Sequence, residues 1–123
     1  MPVPQNRGKK HSRAYRGPGG AGTGPALLEL PASGCALPVP DLPHGRVWEP
    51  HERERWTELW ESPQANAWDD SCRGTVAALV IFESEVMAGV ASAWQAAEMR
   101  HAAESLGLTP RGMAALGWKI VDR

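Results

Sequence analysis

The residues best suited to chemistry stand near the start of the chain: Arg7, Lys9, Lys10, His11, Arg13 and Arg16, with Tyr15 among them. Such a cluster can contact phosphates, and neutralising about five of them would make nucleic-acid binding steeply salt-dependent. The plain alternative is a basic tail that only aids solubility.

A second candidate lies late in the chain. Leu106-Gly107-Leu108-Thr109 beside Ala103 fits the corner of a helix-turn-helix, with Met113 and Leu116 as inward positions of its second helix. Arg111 and, after it, Lys119 are the only base-reading candidates there. That second helix would be short and contains Gly112, and an interior glycine costs about 1 kcal/mol relative to alanine. An ordinary helix cap and corner explains the segment more simply. The tryptophans suggest a sugar- or base-stacking surface, yet at helical spacing they serve more economically as core, or as seals between subunits.

Enzymatic constellations are not found. Gly20-Ala21-Gly22-Thr23-Gly24 is glycine-rich but lacks the lysine, the preceding strand and the following helix of a phosphate-binding loop. His11, His44, His51 and His101 are scattered, with no metal-ligand spacing to Cys35 or Cys72. Glu98 with His101, and Asp69 beside Asp70, are explained by surface pairing and helix capping. The expectation is therefore no catalytic site, no metal and no cofactor.

Helices must position these residues. Pro50 suits a first helical turn, and Trp56, Leu59 and Trp60 form one apolar edge of a helix running to about Glu61. Ser62-Pro63 opens a brief second turn carrying Ala65, Ala67 and Trp68, and Asp69, Asp70 or Ser71 caps the next helix. That central helix, about 71 to 88, has a stripe of Val76, Leu79, Val80, Val86, Met87 and then Val90, while Ala77, Ala78, Ile81 and Phe82 fill much of the remaining circumference. A helix apolar nearly all round must be covered on several sides. Leu79, Ile81, Phe82 and Val86 are accordingly expected to meet another copy of the protein. After Gly89, Ser92-Ala93-Trp94-Gln95 has the form of a capping box for a helix from Ala93 to about Leu106, which should fold back as an antiparallel hairpin. Gly107 stops it, and Thr109-Pro110 starts a last short helix ending near Gly117 and Trp118. The predicted fold class is all-α.

Composition divides the chain at about residue 46. Residues 1–46 hold eight of the eleven prolines and eight of the thirteen glycines, too little apolar surface to offset ordering entropy, so a disordered arm is expected there. Charge divides with it: 1–46 has six Arg/Lys against Glu29 and Asp41, a net of +4, and 47–123 has seven against twelve, a net of −5. A helical oligomerisation domain of 47–123 is small enough to need a partner. Two thiols without a secretory signal, and a longest apolar run of only Val76 to Phe82 against about 20 residues for a bilayer span, imply a soluble cytoplasmic protein without membrane contact.

Taken in order, Trp48-Glu49-Pro50, the tryptophan helix Trp56 to Trp60, Ser62-Pro63-Gln64-Ala65, Asp69-Asp70 and Leu106-Gly107-Leu108-Thr109-Pro110-Arg111 resemble the small terminase subunits of tailed phages and prophages in actinobacteria. The resemblance covers about residues 46 to 118. Gly112, Met113 and Ala114 stand where more arginine is expected, and His101-Ala102-Ala103 where relatives are more charged. The resemblance implies a ring-forming, non-enzymatic subunit that recognises the packaging site on double-stranded viral DNA in the bacterial host cytoplasm. It also implies regulation of a separate large terminase subunit, an ATPase and nuclease. A helix-turn-helix transcriptional regulator remains the alternative.

Overall fold

The computed structural model describes residues 27–122. Strand β1 (Leu28–Pro31) is followed by helices α1 (Pro50–Trp60), α2 (Arg73–Met87), α3 (Ala93–Ser105) and α4 (Pro110–Leu116), then strand β2 (Trp118–Val121). Two 3-10 turns, Pro63–Ala67 and Asp70–Cys72, connect α1 to α2.

The helix boundaries follow the local signals. Pro50 opens α1, and the Glu52 carboxylate accepts the Glu49 backbone N–H at 2.9 Å, satisfying a donor left over at the helix start. Asp69 accepts from the Ser71 N–H and caps the turn leading into α2. Ser92 and Gln95 complete the expected capping box, with Gln95 N–H to Ser92 Oγ at 3.1 Å and Ser92 N–H to Gln95 Oε1 at 2.8 Å. Thr109 caps α4 by accepting from the Gly112 N–H.

The α2–α3 pair forms the antiparallel hairpin. Near its tip Gln95 donates to Glu85 at 2.7 Å and Trp94 meets Phe82 edge-on, while Gly74 and Thr75 lie by His101 and Ser105 at its other end. Helix α1 packs against α2, tied by Arg55, whose guanidinium donates to both Glu83 oxygens at 2.8 and 3.1 Å.

The core is built around tryptophans. Trp56 and Trp60 stand 5.7 Å apart between ring centroids, and Trp60 meets Trp68 edge-on at 5.1 Å. Such tilted pairs contribute about 0.5–1.5 kcal/mol beyond the burial of their area. Leu59, Val76, Leu79, Val80 and Leu106 complete the cluster.

Two features depart from a purely helical fold with a disordered arm up to residue 46. Strands β1 and β2 pair in parallel, Leu28 opposite Trp118 and Leu30 opposite Ile120, so the fold is mostly helical with a small two-stranded sheet. The partners lie at opposite ends of the chain, which local periodicity does not reveal. Residues 27–46 also fold onto the helices: Leu30 is 1% exposed and Cys35 is buried with it in the core. Their low apolar content is offset by hydrogen bonding. Trp56 Nε1 donates to the Pro40 carbonyl at 2.7 Å, Trp48 Nε1 to that of Pro43 at 3.0 Å, and Arg73 to that of Asp41 at 3.0 Å.

Candidate nucleic-acid and assembly surfaces

Arg7, Lys9, Lys10, Arg13 and Arg16, the residues expected to contact DNA, lie outside the described residues. So do Tyr15 and the Gly20–Gly24 segment, and with them most of the segment expected to be disordered. The described residues carry all fourteen acidic side chains and seven of the thirteen Arg/Lys, a net of 7 − 14 = −7. Four of those seven cations are engaged by the fold. Arg46 pairs with buried Glu52 at 3.2 Å and lies over the Trp48 ring at 4.5 Å. Arg53 donates to the Trp48 carbonyl, and Arg73 holds Asp41. Arg55 bridges Glu83 and Glu58, and its hydrogen bond with Glu83 raises its pKa above the ordinary value.

Arg100, Arg111 and Lys119 remain, all exposed. Arg111 is the second residue of α4 and is solvent-facing at the corner. Lys119 lies opposite Glu29 across the sheet, an acid that offsets its charge. The corner itself is a close-packed joint. Gly107 takes a left-handed φ of 73°, and a side chain there would run into the Trp118 ring. At Gly112 a side chain would run into the Glu104 main chain, so the glycine that looks costly for helix formation is what lets α4 approach α3. Met113 and Leu116 face the core, as expected of inward positions.

The sheet creates a neighbourhood that the sequence did not show. Leu28 N–H donates to the Gly117 carbonyl at 2.8 Å, which sets the start of β1 against the C-terminal end of α4. The one local signal was composition: Leu-Glu-Leu at 28–30 alternates, and Trp-Lys-Ile-Val at 118–121 is rich in strand formers.

The enzymatic candidates resolve into structural contacts. His101 Nδ1 lies 3.2 Å from a Glu98 oxygen on an exposed face, and Asp69 is taken up by its cap to Ser71. Cys35 is buried and Cys72 is half-buried, and no disulfide joins them.

Matching against known protein families finds one, described as phage terminase small subunit, over residues 2–120. The chain belongs to the phage terminase small subunit family. No curated protein and no solved structure matches it. The match takes in the basic segment as well as the helices, so phage terminase small subunits share with this chain more than the stretch 46–118 on which the resemblance was noticed.

Among the residues expected at the assembly surface of this terminase subunit, Leu79 needs correcting. It is 1% exposed in the single chain, packed in the tryptophan core with Val76 and Val80, and is not available to a second copy. Ile81, Phe82 and Val86 are half-buried. Conversely, Met87 and Val90, which continue the apolar stripe of Val76, Leu79 and Val80, are 86% and 72% exposed near the hairpin tip. Trp94 joins them at 66%, and it alone of the six tryptophans is exposed. Among the described residues, no helix is long and apolar enough to cross a membrane.

Proposed function

We propose that this small subunit of phage terminase is a non-enzymatic DNA-recognition and regulatory component of the packaging motor. Its partners are double-stranded viral DNA and the large terminase subunit, the ATPase and nuclease, and it works as a homo-oligomeric ring in the bacterial host cytoplasm. Family membership supports the packaging role; the observation that carries the mode of DNA contact is the segregation of charge. A body of net −7 repels a polyanion, whereas Arg7, Lys9, Lys10, Arg13 and Arg16 gather five positive charges in a segment free of acids. DNA contact is therefore assigned to those five residues, with Arg111 as an accessory contact.

The deciding measurement is duplex-DNA binding, by fluorescence anisotropy over a range of salt, for the full chain and for a chain lacking residues 1–20. The full chain should show a slope of log affinity against log salt near −4 to −5, as about five phosphate contacts require. The shortened chain should lose most of its affinity. Retained affinity after the deletion would move DNA contact to the α4 corner and sink the assignment.

A further inference from the structure

The hairpin carries two uncovered apolar features. One is a knob: Trp94, 66% exposed, standing edge-on to Phe82 at 6.2 Å, with Val90 four residues earlier and 72% exposed. The other is a groove of about 460 Å³ between α1 and the hairpin, whose apolar lining is Val80, Val86, Met87 and Met99. Five residues separate Phe82 from Met87 on α2 and Trp94 from Met99 on α3. At 3.6 residues per turn, each pair is rotated roughly 140° about its helix axis, so knob and groove face different ways.

We propose that Trp94 of one copy seats in the Met-lined groove of the next, making a head-to-tail contact. The inference rests on the oligomeric reading above and assigns that oligomer its interface. A second copy is the occupant that covers both patches with one repeated contact, whereas a different partner would leave one of them in water. The groove's two acids, Glu52 and Glu83, are bridged by Arg46 and Arg55, so its rim sets no unpaired acid against Glu98, which stands one turn beyond the knob beside His101. Because the two patches face apart, a two-fold dimer does not satisfy both; the contact repeats by rotation and closes into a ring or continues as a filament.

Two substitutions at exposed positions separate the halves of the contact. Trp94→Ala removes the knob and keeps the groove, and Met87→Glu charges the groove mouth and keeps the knob. Light scattering after size exclusion at micromolar concentration should find the wild-type chain assembled and each variant monomeric, with far-ultraviolet circular dichroism unchanged. An equimolar mixture of the two should give a 1:1 dimer that grows no further, because only one knob and one groove remain intact. A Trp94→Ala protein that still assembles, or a mixture that stays monomeric, overturns the head-to-tail contact alone. A monomeric wild-type chain overturns the oligomeric reading as well.

Discussion

Trp68 donates its indole N–H to the carbonyl oxygen of Leu106 at 2.9 Å, and both residues are buried. The bond joins the turn after α1 to the end of α3, and Leu106 N–H in turn closes on Ala102 within that last helical turn. Trp68→Phe keeps an aromatic ring but strands the carbonyl away from water. An unsatisfied buried acceptor costs about 1–3 kcal/mol, so urea denaturation should show a loss of that size with an unchanged slope.

Two glycines on helices should respond to alanine in opposite directions. Nothing lies within 4 Å of a side chain added at Gly74, so Gly74→Ala should stabilise by about 0.4–1 kcal/mol through the unfolded chain. Gly112→Ala would collide with the Glu104 main chain and should cost about 1–3 kcal/mol as overpacking. Thermal melts of the pair check both signs at once.

Truncation tests the packing of residues 27–46. A chain beginning at residue 27 should keep the unfolding midpoint of the full protein. One beginning at residue 47 loses β1, buried Leu30 and Cys35, and the carbonyls that satisfy Trp48 and Trp56, and should not unfold cooperatively. Equal midpoints for the two chains would contradict the packing of residues 27–46.

Arg55→Met tests the tie between α1 and α2. Arg55 and Glu83 are partly exposed, so the pair contributes at most about 1 kcal/mol, and the loss should shrink as salt rises. The arginine's pKa is raised in the folded state, so its contribution is fully present below its unfolded value and is lost only at strongly alkaline pH. The destabilisation should therefore be the same at pH 7 and pH 9.

Removing phosphate contacts should change the salt slope in proportion. Replacing Lys9 and Lys10 with glutamine should lower its magnitude by about 2, and Arg111→Ala by at most about 1. A larger effect from Arg111 than from the lysine pair would favour the corner as the principal contact.

The helices were legible because their signals are local. Pro50, the Ser92–Gln95 box and Thr109-Pro110 each set a helix start within a few residues of where it stands. The α3–α4 corner was legible for the same reason, though not the purpose of Gly112, which depends on how close α3 comes. Strand β1 and the ordering of residues 27–46 were not legible, since a four-residue strand has meaning only beside its partner and a proline-rich segment shows no periodicity while tryptophan N–H groups hold it. Leu79 was misplaced because a helix apolar all round does not disclose which arc its neighbours cover. The cationic candidates are the part that composition alone supplied, and their assignment to DNA stands on charge and on family membership.

The parallel pairing of β1 with β2 also sets an order of events during synthesis. Leu28 leaves the ribosome about 90 residues before Trp118, its partner, and so distant a pairing forms late, after the local helices. Until then Leu28 and Leu30 stay as an unpaired apolar edge, of the kind that makes folding intermediates prone to aggregate. Yield in a host should therefore depend on how quickly residues 118–121 arrive, and variants that weaken Trp118 or Ile120 should lose soluble protein before they lose helix.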